Sequence, residues 1–173
     1  MENAVLKLLE ERRSVRSYQD KQVDKEALDA ILRAGTYAAT GMNRQSPIIV
    51  AIQDKKTIQK LSAMNAAVMG RDGDPFYSAP TLLVVLADPT VRTYVEDGSL
   101  VIGNMMNAAF SVGVDSCWIH RAKETFESEF GKELMQKWGI PAYYVGVGNC
   151  ILGYRDGELP EAAERKPGRI VKV

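Results

Sequence analysis

Three arginines and two serines crowd into Arg12-Arg13-Ser14-Val15-Arg16-Ser17, directly after a short run of apolar spacing. Guanidinium groups are permanently charged forks that match oxyanions, and a serine hydroxyl adds a neutral donor. The cluster either grips one shared anion or stands as a solvated basic turn beside Glu10 and Glu11. A second cationic group, Arg165-Lys166-Pro167-Gly168-Arg169, lies in a polar C-terminal tail of a kind that often frays. Between them, Asn43 and Gln45 in Ala38–Pro47 carry amides that could meet a polar ligand edge or satisfy the loop's own backbone.

Other chemistries are poorly supplied. One histidine, His120, and two cysteines, Cys117 and Cys150, make neither a metal-ligand spacing nor a disulfide framework. These three read as an ordinary structural or edge histidine and two core thiols rather than a base and nucleophiles. The chain has no G-x-G-x-x-G after its first strand, no Walker-type loop and no G-x-S-x-G elbow, which argues against a dinucleotide fold, a P-loop enzyme and a serine hydrolase.

At 173 residues the chain is expected to form one domain, 1–173. Its 22 basic and 22 acidic side chains cancel, so no global field draws it to nucleic acid or an anionic membrane, and any anion site must be local. Its N-terminus lacks a secretory pattern and no apolar run reaches spanning length, which makes a reducing cytoplasm the expected location.

The positioning elements follow from periodicity. Asn3 is placed to cap a first helix that buries Val5, Leu6, Leu8 and Leu9 and ends near Arg13, so the basic cluster falls at a helix-to-loop junction. A second helix starts at Asp24, with Gly35 either ending it or absorbed within it. Ile48–Ile52 reads as a strand, and Asp54 caps a helix through Met64. A linker from about Asn65 to Ser78 is expected next, either a mobile cover or a plain connection. Thr81–Ala87 is apolar throughout and reads as a central strand. The longest helix runs from Tyr94 to Val112, apolar on most of its circumference and so buried centrally or at a subunit contact. A short strand follows within Val112–His120, then one helix carrying Phe126, Phe130, Leu134 and Trp138. The glycine-spaced segment Tyr143–Tyr154 reads as a strand approached closely by another backbone or a flat ligand.

Five segments in this order, E-R-R-S-V-R-S-Y, A-T-G-M-N-R-Q-S-P-I-I-V, D-S-C-W-I, G-V-G-N-C-I-L-G-Y and R-K-P-G-R, resemble the nitroreductase family of FMN-dependent oxidoreductases over nearly the whole chain. The resemblance implies an α+β fold, a three-layer α/β/α sandwich with a mixed, largely antiparallel sheet. It also implies an interlocked homodimer with FMN at the subunit interface and the tail from about 155 to 173 packed on the partner. Arg12, Arg13 and Ser14 match the family's flavin-binding start, with Arg12 and Ser14 chiefly at the phosphate. Arg16 would sit near the phosphate or the N1/C2 carbonyl edge, where its charge would tune the reduced ring. Asn43 and Gln45 match a motif that reaches across from the other subunit, and Asn65 matches a contact to the pyrimidine edge. Ser116, Cys117 and Trp118 resemble the stretch along the ring, and Arg165 or Lys166 the C-terminal cation on the phosphate.

The activity so implied takes hydride from NADH or NADPH and passes it by a ping-pong scheme to nitroaromatics, quinones or similar flat acceptors. Dehalogenation, flavin cleavage and non-catalytic flavin binding remain open on the same fold. The chain is shorter than larger members of the family. It lacks the long insertion after the fourth helix and shows no evident lysine four residues beyond Asn65.

Overall fold

The computed structural model describes residues 3–173. Four strands, β1 (Ile48–Ile52), β2 (Thr81–Ala87), β3 (Asp115–Ile119) and β4 (Val145–Gly153), form one sheet in the order β1-β2-β4-β3. Every pairing in this ladder is antiparallel. The parallel contribution is an isolated bridge from Ser14 to Ser116, which lays the N-terminal segment along β3.

β2 is buried at all seven positions because helices cover both faces of the sheet. Leu82, Val84 and Leu86 pack with Ile58 and Leu61 of α3 (Lys55–Met69), Phe126 of α5 (Ala122–Glu127) and Leu134 of α6 (Glu129–Lys137). The alternate residues Leu83, Val85 and Ala87 pack with Ile31 of α2 (Lys25–Thr36) and with Val101, Ile102 and Met105 of α4 (Tyr94–Ser111). Period-two alternation in one apolar strand thus feeds two cores, and the result is the α/β/α sandwich.

The glycines of β4 mark close approaches by other parts of the same chain. A Cβ at Gly146 would lie 2.5 Å from the backbone carbon of Ala122, where α5 begins. At Gly148 it would meet the Trp118 indole at 2.9 Å. Of the two readings of this strand, neighbouring backbone and side chain account for both positions.

Three expectations need correction. Helix α1 (Ala4–Glu11) forms as expected, with Asn3 Oδ1 accepting from Leu6 N at 2.9 Å, but it buries no residue. Val5, Leu6 and Leu9 are 67%, 43% and 51% exposed, because among the described residues no element covers their side of the helix. Secondly, α3 runs on to Met69 and ends at left-handed Gly70, so Asn65 is a helical residue and not the start of a linker. The connection from α3 to β2 is ordered. The Asp74 carboxylate accepts from Phe76 N at 2.9 Å, Ser78 N at 2.6 Å, the Ser78 hydroxyl and the Ser62 hydroxyl of α3. Burial alone would push its pKa up, but these hydrogen bonds outweigh it and hold the group below the usual carboxylate range. Thirdly, the last helix is two. Ser128 is extended (φ −70°, ψ 160°), and its hydroxyl accepts from Gly131 N at 3.1 Å to cap α6.

Candidate functional site

The N-terminal basic cluster is held against β3 by backbone. Val15 N donates to Ser116 O at 3.1 Å, and the chain continues to Gln19, whose N–H bonds Tyr154 O at 2.9 Å. Arg12, Arg13 and Ser14 are half-buried, and Arg16 is exposed. Arg13 folds back on the end of α1, its Nη1 donating to Glu10 O at 2.6 Å and to Arg12 O at 2.8 Å.

The cluster holds donors with nothing to donate to. Arg12 Nη1, Arg13 Nε and Ser116 Oγ are buried yet have no hydrogen-bond partner among the described residues. An unpartnered buried hydroxyl costs about 1–3 kcal/mol, and a charged group more, so three within one segment pair point to an acceptor that completes them. All three suit an oxyanion. Beside Ser116, Asp115 Oδ2 accepts from Arg155 Nη1 at 2.9 Å, while Asp115 Oδ1 is likewise buried without a hydrogen-bond partner among the described residues.

Cys117 and Trp118 alternate across the sheet. The Cys117 side chain joins the core under α3 and α5, so towards the N-terminal cluster it can offer only backbone. Trp118 packs on the α2/α4 side, and its residue also borders a hollow of about 380 Å³ with Arg16, His120 and Arg121. Cys150 is fully buried. Burial first, then the neighbouring Cys117 thiol, push its pKa up to about 12 against the pull of Arg12, so it stays protonated at neutral pH.

Asn65 is also fully buried, and its amide is committed on both sides. Nδ2 donates to His120 O at 2.8 Å, and Oδ1 accepts from Arg121 Nε at 3.0 Å. It reaches the hollow only through those two neighbours.

Asn43 and Gln45 are exposed, both with positive φ (53° and 49°), and Gln45 Nε2 donates to Asn43 Oδ1 at 2.9 Å. They belong to a loop on the α2/α4 side, where Gln45 borders a different hollow with Leu32, Ala38 and Val101. Buried Asp97 anchors this loop, accepting from Gly41 N at 2.9 Å and Thr93 Oγ1 at 3.1 Å. A side chain at Gly41 would overlap the Thr93 hydroxyl and pry it from Asp97. Gly41→Ala is therefore expected to cost about 1–3 kcal/mol of stability, read as a lower urea midpoint at unchanged slope. An unchanged midpoint would mean that the clamp does not hold the loop.

Arg165 and Lys166 are exposed, as is every residue from Pro160 to Val173. Among the described residues no hydrogen bond or ion pair joins them to Arg12, Arg13 or Ser14, so the two cationic groups do not meet through such contacts within one chain. The arrangement thus has three parts: an oxyanion cradle beside β3 with an adjoining aromatic hollow, an amide loop on the other face, and a cationic tail.

Sequence reasoning missed Asp97, Arg121 and the Asp115–Arg155 pair. Each owes its place to a partner 40 or more positions away, as in the 40 between Asp115 and Arg155 and the 56 between Asn65 and Arg121. No local pattern marks them. Groups of histidine, cysteine and carboxylates able to hold a metal are absent among the described residues, and none of the described helices is long and apolar enough to cross a membrane.

Comparison with known proteins agrees with this architecture. The Nitroreductase family model matches residues 9–75, which span the basic cluster, the amide loop and α3. A protein of Archaeoglobus fulgidus bearing the name NADH dehydrogenase/NAD(P)H nitroreductase is 31% identical over 173 residues, with 95% of each chain covered. The crystal structure of a nitroreductase with bound FMN from Bacteroides fragilis superposes with a TM-score of 0.91 at 31% identity, covering 99% of this chain and 100% of that one. A second FMN-bound nitroreductase, from Desulfitobacterium hafniense, gives 0.89 at 27% identity over the full length of both chains. The chain belongs to the nitroreductase family.

Proposed function

We propose that the protein is an FMN-dependent oxidoreductase that takes reducing equivalents from NADH or NADPH and delivers them to a flat acceptor such as a nitroaromatic or a quinone. The observation that carries this reading is the set of buried, unpartnered donors on Arg12, Arg13 and Ser116. A phosphate monoester fits them in charge and hydrogen-bonding sense, and the relatives that superpose along the whole chain hold FMN. When bound, the flavin supplies the redox chemistry.

The chain's own residues bind and orient. Arg12, with Ser14 and Ser116, holds the phosphate, and Arg13 adds its remaining Nε donor. Arg16, exposed and without an ion pair among the described residues, supplies positive charge beside the ring. Backbone of Ser116–Trp118 borders the ring, and Asn65 acts through His120 and Arg121. All of residues 1–173 work as one flavin-binding unit.

A second copy of the chain completes the site. It covers the apolar side of α1, and its Asn43 and Gln45 meet the ring's polar edge. Its tail brings Arg165 or Lys166 to the phosphate. Support comes from the exposed Val5, Leu6 and Leu9, and from Ile170 and Val171, which are 80% and 81% exposed. Buried free thiols at Cys117 and Cys150 suit a reducing cytoplasm.

The visible spectrum of the purified protein tests the proposal. A flavin band that bleaches under anaerobic NADH or NADPH and returns on adding a quinone is expected. A band that neither nucleotide bleaches would leave only a flavin-binding protein.

A further inference from the structure

We infer that Arg121 makes the hollow beside β3 selective for flat ligands that carry an oxyanion, such as an aromatic carboxylate acceptor. The inference rests on the proposed flavin-dependent function and adds to it the class of acceptor.

Arg121 follows the last residues of β3 in a left-handed conformation (φ 72°), which side chains other than glycine rarely adopt. The surroundings over-determine it. Fully buried Asn65 accepts its Nε–H at 3.0 Å and donates to the preceding carbonyl, His120 O, at 2.8 Å. Asn149 donates to the same carbonyl at 3.4 Å. On the other side, the Thr125 hydroxyl donates to Arg121 O at 2.9 Å. Backbone and Nε are thus fixed, while the two terminal nitrogens have no acceptor among the described residues. Such pinned strain is a mark of functional positions.

A guanidinium anchored through Nε keeps its paired Nη groups for a planar, two-pronged partner, and little freedom is lost on binding. The hollow it borders adds Arg16 and Arg71, both exposed and without ion pairs among the described residues. Of the acids on the rim, Asp74 is already occupied by four hydrogen bonds, which leaves Asp72. Tyr77, a lining residue that is 39% exposed, supplies the aromatic contact that a flat ring needs. Positive charge, a preset fork and an aromatic side chain together describe a benzoate-like ligand.

Calorimetric titration of the protein as purified with 4-nitrobenzoate and with neutral 4-nitrobenzyl alcohol tests this. The carboxylate is expected to bind about tenfold more tightly, one charge-assisted contact in size. Arg121→Gly suits the left-handed backbone but takes the Nε donor from buried Asn65 Oδ1, so it should lower the melting temperature by a few degrees while leaving the protein folded and abolishing the preference; Arg121→Lys should keep part of it. No preference in the wild type, or a preference that survives Arg121→Gly, overturns the inference. So does a preference confined to NADP⁺ over NAD⁺, which would give the oxyanion to the nucleotide donor. Because calorimetry does not depend on flavin reduction, a protein that bleaches normally yet shows no preference refutes this inference alone. One whose flavin fails to bleach refutes the functional reading instead.

Discussion

Arg12→Ala is expected to weaken FMN binding by about ten- to a hundredfold, the loss of one charge-assisted hydrogen bond of roughly 1.5–3 kcal/mol. The same substitution should leave the melting temperature of flavin-free protein unchanged or slightly higher. In the free chain Arg12 Nη1 is buried with nothing to bond, so its removal relieves a desolvation penalty that only ligand would offset. Opposite signs for binding and stability separate a ligand-binding arginine from a structural one. Arg13 gives the contrast. Its Nη1 closes the end of α1 on Glu10 O and Arg12 O, so Arg13→Ala should lower stability as well as affinity. If Arg12 and Ser116 share one phosphate, Arg12→Ala combined with Ser116→Ala should cost less than the two separate losses added. Flavin fluorescence titration of the four proteins reads the cycle, and strict additivity would place the two donors on different groups.

Gly146→Ala carries the largest expected effect on folding. Its Cβ would sit 2.5 Å from the Ala122 carbonyl carbon, and backbone at the start of α5 cannot swing aside as a side chain can. A cost on the order of 3 kcal/mol is expected, the upper part of the usual range for overpacking. For a chain of this size that lowers the melting temperature by roughly 6–12 °C. The damage would also reach the site, since α5 comes directly after His120 and Arg121. A variant melting within a degree of wild type would show that β4 and α5 can separate freely.

The layers of the fold were legible because they rest on short-range patterns. Apolar residues throughout Thr81–Ala87 require cover on both faces, and Asn3 and Asp54 cap their helices through their own side chains. Where reading failed, distant partners decided. The apolar spacing of α1 was plain, but nothing local says that its apolar side finds no cover among the described residues. Asn65 looked like the edge of a loop because Gly70 and Arg71-Asp72-Gly73-Asp74-Pro75 come soon after it. The helix continues past it, and its amide is buried between His120 and Arg121. The split at Ser128 carried a local signal, an N-cap serine followed by Glu129, that the apolar periodicity of Phe126, Phe130 and Leu134 masked.

The site divides in the same way. The arginine cluster could be read from composition, and the Ser14–Ser116 bridge explains why it lies beside β3. The hold of Asp97 on Gly41 and of Asn65 on Arg121 exists only after folding.

Completion of one flavin site by two chains is the central claim, and sedimentation velocity followed at the flavin absorbance tests it most directly. Flavin should travel with a species of twice the 19.1 kDa chain mass, at one flavin per chain. Flavin travelling with a single 19.1 kDa chain at full affinity would contradict the account.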